Sequence, residues 1–164
     1  MKKQYGFYHD SNRCIKCFAC EVACKQWHGI KAGTFKLRKV VEVTTGTYPD
    51  VKRTFKSISC MHCSKPACIE ACPEGAISKR AEDGIVIVDS NKCTGCLLCL
   101  EACPFGIPQI DEDDVMQKCD MCLERVEMGQ QPICVATCPT RALHWGTVEE
   151  LSSLALKKGP SPDY

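Results

Sequence analysis

Sixteen cysteines, in four groups of four with none left over, constrain this chain more than any other feature. Cys14, Cys17, Cys20 and Cys24 follow the spacing C-x2-C-x2-C-x3-C. Cys93, Cys96, Cys99 and Cys103 repeat it and are followed by Pro104. Cys60, Cys63, Cys68 and Cys72 widen the middle gap, C-x2-C-x4-C-x3-C, ahead of Pro73. Cys119, Cys122, Cys134 and Cys138 widen it further, C-x2-C-x11-C-x3-C, ahead of Pro139. This is an internal repeat, and it governs how each local segment is read. The endings Cys-Pro-Glu-Gly-Ala-Ile, Cys-Pro-Phe-Gly-Ile-Pro and Cys-Pro-Thr-Arg-Ala-Leu carry the same repeat.

Sixteen cysteines in 164 residues exceed the level at which composition marks a chain as scaffolded by disulfides or metal. The 45% hydrophobic share includes those cysteines, and aromatics supply only 7%. So lean a chain needs something bound to its cysteines to complete a core that offsets its ordering entropy. No apolar run reaches the roughly 20 residues that span a bilayer. The start, Met-Lys-Lys-Gln-Tyr-Gly-Phe-Tyr-His-Asp, has no apolar h-region and no twin arginine. A reducing cytoplasm is therefore expected, where dense cysteine signals metal rather than disulfides. The net charge of +1 gives no basis for nucleic-acid binding. It is unevenly spread: residues 1–56 carry 12 Lys/Arg against 4 Asp/Glu, and residues 57–114 carry 4 against 10. Lys16, Lys25, Lys65, Lys92 and Lys118 stand near cysteines in sequence. They are either solvated surface or an offset to negative metal–thiolate centres.

The spacing has a chemical reason. A cubane of four irons and four sulfides needs four thiolates at its corners. A C-x2-C-x2-C loop wraps three corners with backbone N–H groups facing sulfur. The fourth cysteine sits one helical turn on and ligates the other cluster of a pair, the rule for C-x2-C-x2-C-x3-C-P runs. The proline then turns the chain out of its helix. Structural zinc usually takes two separated C-x2–4-C pairs, and only the fourth group, with its x11 gap, resembles a zinc knuckle. A thioredoxin-like C-x2-C would need a βαβ setting that is absent. Four tetrads imply four 4Fe–4S clusters. At about −2 each when oxidised, they would take the net charge from +1 to about −7.

Several stretches resemble one family: Gln-Tyr-Gly-Phe-Tyr, Cys-Phe-Ala-Cys-Glu-Val-Ala-Cys-Lys, Ser-Ile-Ser-Cys-Met-His-Cys, Pro-Ala-Cys-Ile-Glu-Ala-Cys-Pro, Gln-Lys-Cys-Asp-Met-Cys and Pro-Ile-Cys-Val-Ala-Thr-Cys-Pro-Thr-Arg-Ala-Leu. The family is the four-cluster iron–sulfur subunits of molybdenum or tungsten bis-pterin oxidoreductases, above all the dimethyl sulfoxide reductase type. The resemblance covers about residues 4–156. It implies that the first tetrad pairs with the fourth and the second with the third. Cluster one would then take Cys14, Cys17, Cys20 and Cys138, and cluster two Cys24, Cys119, Cys122 and Cys134. Cluster three would take Cys60, Cys63, Cys68 and Cys103, and cluster four Cys72, Cys93, Cys96 and Cys99. Two departures stand out. The chain ends sooner after the fourth group than the family commonly does, so a membrane-anchor partner is not implied. Lys25 replaces the proline after the first group, leaving room for a longer helix through Trp27.

The expected fold class is α+β: two bacterial-ferredoxin-like, two-cluster modules, one inserted in the other. Residues 1–50 plus 116–164 form the outer module, with clusters one and two. Residues 51–115 form the inserted one, with clusters three and four. Strands are expected at Tyr5–His9, Leu37–Thr44, Thr54–Ser59, Ala76–Lys79 and Ile85–Asp89, with Asp83-Gly84 as a hairpin turn. Helices are expected at Phe18–Trp27, Pro66–Ala71, Leu97–Ala102 and Val148–Lys157. The last should be the longest, with Thr147 and Glu150 as a capping box and Gly159 as its stop. Asp111-Glu112-Asp113-Asp114 reads as a solvated acidic connector, and Gly159–Tyr164 as a loose tail or partner contact. His62 is placed to donate a hydrogen bond towards a cluster and raise its potential. His9, His28 and His144 read as ordinary polar residues, and Trp27 and Trp145 as packing.

There is no dinucleotide fingerprint and no nucleophile motif. The chain is therefore not an enzyme by itself but an electron-transfer subunit with no catalytic residues. The resemblance implies a large molybdenum- or tungsten-pterin catalytic subunit facing cluster one. A second redox partner (flavoprotein, ferredoxin or membrane quinone subunit) would face cluster four. Direct membrane insertion is not expected. Alternatives are another assembly (tungsten aldehyde oxidoreductase, formate dehydrogenase, hydroxytransferase or hydrogenase) and a non-redox zinc-knuckle module. Export, folded and attached to a signal-bearing catalytic subunit, is the alternative to a cytoplasmic location.

Overall fold

The computed structural model describes residues 3–158. Within them, short helices and strands alternate as β1 (Tyr5–His9), α1 (Ala19–Trp27), β2 (Arg38–Thr45), β3 (Lys52–Ser59), α2 (Ala67–Glu70), β4 (Ile77–Lys79), β5 (Val86–Val88), α3 (Leu98–Ala102), β6 (Gln109–Ile110), β7 (Met116–Gln117), α4 (Leu123–Glu127), α5 (Ile133–Ala136), β8 (Leu143–Thr147) and α6 (Val148–Lys158). The strands make four separate antiparallel ribbons, β1–β8, β2–β3, β4–β5 and β6–β7. Isolated two-stranded ribbons are marginal in water, so the loops between them have to contribute to stability.

The long ribbon runs from Arg38 opposite Ser59 to Thr45 opposite Lys52. The β1–β8 ribbon joins the two ends of the chain, Tyr5 opposite Thr147 and His9 opposite Leu143. At Asp83-Gly84 the chain turns as expected. The Asp83 carboxylate accepts the Ile85 N–H at 3.0 Å, and Gly84 takes φ +73°. The capping box is also present: Thr147 N–H donates to Glu150 Oε2 at 2.8 Å, and Glu150 N–H to Thr147 Oγ1 at 3.3 Å. The expected helix stop at Gly159 and the tail Gly159–Tyr164 lie outside the described residues.

Lys25, in place of proline, lets α1 run nine residues, against four or five in α2, α3 and α5. Lys25 then ties down the loop that follows, donating to the Lys31 and Gly33 carbonyls at 3.1 and 2.8 Å. The buried Glu21 fixes α1 to β2: it accepts the Val40 N–H at 3.0 Å and pairs with Lys36 at 2.5 Å.

The acidic connector is more than solvated. Asp111 accepts the N–H groups of Asp113 and Val115 and the Gln117 side-chain amide, closing the β6–β7 turn. These hydrogen bonds hold its carboxyl below the ordinary carboxylate range. Glu112 pairs with Lys31. Five elements stand where none was expected: β6, β7, β8, α4 and α5.

Two small apolar clusters form the core, and cysteines belong to both. One joins Ile77, Val86, Met116 and Cys99, flanked by Cys68, Cys72 and Cys93. The other joins Cys20, Cys134 and Leu143, flanked by Phe7, Val40 and Cys138. The core thus lies where the cysteines lie, as the sparse apolar composition requires.

Candidate metal centres

All four cysteine groups bend in the same way. The residue before the second cysteine is left-handed in each: Lys16 (φ 56°), His62 (46°), Gly95 (67°) and Met121 (64°). Three of these are not glycine, and such a backbone costs an L-residue about 1–2 kcal/mol. The same strain at four equivalent positions marks a shared constraint, a loop that must curl its backbone around one point. In the first and third groups a second left-handed residue, Phe18 (φ 60°) or Leu97 (67°), leads directly into α1 or α3. The third cysteine of each group then lies in a helix: Cys20 in α1, Cys68 in α2, Cys99 in α3 and Cys134 in α5. The fourth comes one turn later.

Polar hydrogens already point at several sulfurs. Ala142 N–H lies 3.2 Å from Cys138 Sγ. Met116 N–H lies 3.4 Å from Cys93 Sγ, and Met121 N–H 3.4 Å from Cys119 Sγ. Ser57 Oγ is 3.4 Å from Cys20 Sγ.

The cysteines gather across group boundaries. Cys72 joins Cys93, Cys96 and Cys99 around one small cavity, walled by Ala76, Ile77 and Met116. Cys103 joins Cys60, Cys63 and Cys68 around another, walled by Pro66, Val86 and Ile107. Electrostatics trace the remaining eight. Burial raises the Cys14 thiol, and the charges of Cys138 and Cys17 add to it. Burial raises Cys20, with Cys134 and Cys138 contributing. Cys24 is pushed up to about 12 by burial, then by Cys134 and Cys122. Burial lifts Cys119 well above the ordinary thiol range, with Cys134 and Cys24 adding. Cys122 rises to about 11, again chiefly through burial, with Asp120 and Cys134 adding.

Cys138 differs. Burial would raise it too, but hydrogen bonds from Leu143, Ala142 and Thr140 outweigh that and bring it below the ordinary thiol value. Buried thiols that repel one another stay protonated unless a cation replaces their protons. The donor set therefore fits an all-thiolate metal centre at each gathering, binding with release of protons.

The surrounding side chains sort differently from their order in sequence. Lys16 pairs with Glu42 at 2.5 Å, Lys92 with Asp89 at 3.3 Å, and Lys25 caps its own loop. Of the five lysines singled out by proximity, Lys118 is the one buried beside thiols. It donates to the Val86 and Cys119 carbonyls, and its charge opposes the burial that raises Cys68. Lys79, not singled out, donates to the Cys63 and Ser64 carbonyls at 2.9 and 3.1 Å.

His62 is 1% exposed. Its Nδ1 accepts the Val86 N–H at 3.0 Å, which places the proton on Nε2, and Nε2 has no protein partner. Burial, reinforced by Lys118 and Arg38, keeps the ring neutral. His28 reads in sequence as an ordinary polar residue, yet its Nε2 lies 3.7 Å from Cys122 Sγ and 3.5 Å from Asp120. Trp145 packs as expected, stacked on Tyr5 at 4.8 Å with its N–H on Met121 Sδ at 3.2 Å. Trp27 carries the Arg125 guanidinium over its ring at 4.9 Å. Sequence reading missed Arg38 altogether; it is 2% exposed among the cysteines.

Strained C-x2-C loops, helices seeded by the third cysteine, and a fourth cysteine exchanged between groups define a ferredoxin-type 4Fe–4S protein. The 4Fe-4S dicluster domain family matches residues 51–148. The chain is 46% identical over 160 residues to the probable anaerobic dimethyl sulfoxide reductase chain YnfG of Escherichia coli (strain K12). That match covers 92% of this chain and 77% of the relative. It is 44% identical, with the same coverage, to a subunit of the anaerobic dimethyl sulfoxide reductase of the same organism. The formate dehydrogenase-O iron-sulfur subunit of that strain is 40% identical over 166 residues, 91% of this chain and 55% of the relative. The chain belongs to this 4Fe–4S family, the iron–sulfur electron-transfer subunits of dimethyl sulfoxide reductase and formate dehydrogenase type.

Proposed function

We propose that the chain holds four 4Fe–4S clusters and conducts electrons between a molybdenum- or tungsten-pterin catalytic subunit and a second redox partner. Each bound cluster supplies a one-electron couple; the chain supplies position, insulation and charge. Cluster one takes Cys14, Cys17, Cys20 and Cys138, and cluster two Cys24, Cys119, Cys122 and Cys134. Cluster three takes Cys60, Cys63, Cys68 and Cys103, and cluster four Cys72, Cys93, Cys96 and Cys99. The observation that carries this reading is the exchange of fourth cysteines. Cys103 lies with the second group, Cys72 with the third, and Cys138 acts on Cys14 and Cys20. A zinc knuckle would instead keep Cys138 with Cys119, Cys122 and Cys134.

The same exchange supports two modules, residues 1–50 with 116–164 and residues 51–115. The β1–β8 ribbon closes the outer one. The β2–β3 ribbon crosses residue 50 and the β6–β7 ribbon spans 115. The modules would therefore be stitched by hydrogen-bonded ribbons rather than by free linkers.

Apolar side chains are exposed beside the first and third groups. Ile15 (61% exposed), Phe18 and Val22 (63%) surround the first group, and Leu97 and Leu98 flank the third. We assign the first patch to the catalytic subunit and the second to the other redox partner. No helix among the described residues is long and apolar enough to cross a membrane. Loading sixteen thiols requires that they be kept reduced, which supports assembly in the cytoplasm.

The test is anaerobic purification with metal and acid-labile sulfide analysis. About sixteen of each per chain are expected for four cubanes. Cys138→Ser should perturb the EPR signal of cluster one and leave those of clusters three and four. Zinc in the fourth group, or loss of cluster two instead of cluster one in that variant, would refute the assignment.

A further inference from the structure

Arg38 opens β2, and its side chain is among the most buried in the protein. A buried guanidinium is costly unless its charge is matched and its five N–H groups are used. Here only Nη1 finds protein partners, the Ser57 hydroxyl at 3.1 Å and the Ser57 carbonyl at 3.5 Å. The Phe7 ring covers one face at 4.6 Å. Nε and Nη2 are buried with no hydrogen-bond partner.

The sulfurs whose charge, as thiolates, would act on Arg38 most strongly are those of Cys134, Cys119, Cys20 and Cys24. They come from two gatherings. Cys20 belongs to the first, and Cys24, Cys119 and Cys134 to the second. Ser57 joins Arg38 to the first gathering, since its hydroxyl also lies 3.4 Å from Cys20 Sγ. The residue is thus held between two metal centres, with two unused donors and a permanent charge.

We infer that Arg38 is the shared counter-charge of clusters one and two, with Nε–H and Nη2–H directed to their sulfur atoms. This rests on the four-cluster reading above. It makes Arg38 a positioning and tuning residue, not a ligand. A fixed cation beside a centre that gains one negative charge on reduction favours the reduced form. Arg38 therefore raises the potentials of these two clusters together. It also screens their mutual repulsion at the step where adjacent negative centres exchange an electron. Among the described residues, no other arginine or lysine is as buried as Arg38. Arginine suits the position because it stays charged when desolvated and presents several donors in a fixed fork.

The test is EPR-monitored redox titration of anaerobically purified holoprotein, wild type against Arg38→Met and Arg38→Lys. Methionine keeps apolar bulk and removes the charge; lysine keeps the charge and loses the fork. In Arg38→Met, the ratio of reduced to oxidised clusters one and two at fixed potential should fall at least tenfold. For a one-electron couple that is a drop of about 59 mV. Clusters three and four should move far less, and Arg38→Lys should recover most of the loss. Arg38→Met protein with its full iron and unmoved potentials for clusters one and two would overturn the inference. If Arg38→Met loads too little iron to titrate, Arg38→Lys decides. Recovered loading and potentials support the counter-charge role, and a lysine protein as iron-poor as the methionine one makes Arg38 a packing residue. Wild-type protein without the four clusters would instead sink the cluster reading itself.

Discussion

Single backbone positions carry much of the strain in this protein. Lys16, His62 and Met121 accept a left-handed conformation where glycine would fit more easily, while the third group uses Gly95. There the choice is forced: a Cβ on Gly95 would collide with the Asp114 carbonyl oxygen. Gly95→Ala should cost at least about 1–2 kcal/mol from the backbone alone and empty the site of Cys93, Cys96 and Cys99. Iron analysis should then fall by about four atoms per chain; full iron with an unchanged melting temperature would contradict this.

His9 gives a pH dependence. Burial, then the charge of Arg38, depress it to about 4. Between about 4 and the unfolded value of 6.5 the unfolded chain binds more protons at this site. Stability therefore falls as pH falls through that window. His9→Gln should remove this part of the slope. It is read as the difference in urea midpoint between variant and wild type at pH 7 and pH 5, so that cluster contributions cancel. Equal slopes would count against it. The cysteines proposed as ligands were legible in the sequence because their spacing is periodic. Arg38 and Lys79 were not, because nothing local marks a cation that reaches a cysteine from another element.

At the scale of elements, short segments depend on their neighbours. The α6 helix packs on β1 and β8 and is anchored by its capping box and by Lys158, which pairs with Asp10 at 3.1 Å. Thr147→Ala should cost about 1 kcal/mol, seen as a lower thermal midpoint, with iron content unchanged because α6 carries no cysteine. Loss of iron in that variant would show that α6 supports the centres. The strands β1 and β3, the helix α1 and the Asp83-Gly84 turn follow from alternation, cysteine spacing and turn chemistry. The helices α4, inside the x11 gap, and α5, at its end, were hidden, since four or five residues are too few to show a helical period. The strand β8 was hidden because its partner, β1, lies at the opposite end of the chain.

At the scale of the molecule, the two small apolar clusters and four two-stranded ribbons among the described residues are too little to offset chain entropy alone. The proposed metal centres would complete the core, so cluster binding and folding should be one event. Removing iron with a chelator under denaturant-free conditions should abolish the cooperative thermal transition and most of the far-UV circular dichroism. An apoprotein that keeps both would show that the polypeptide is self-sufficient.

The sequence by itself pointed to the chemistry: sixteen cysteines proposed as metal ligands, the loops that carry them, and a fourth cysteine expected to cross from each group. That information is local, written in spacings of three or four residues. Only the tertiary structure decided what surrounds those sulfurs. It buried Arg38 between two cysteine sets, placed Lys118 beside the thiol of Cys68, and left His62 with a neutral, unpartnered donor. Those relations depend on which distant segments meet, and spacing along a chain carries no record of that.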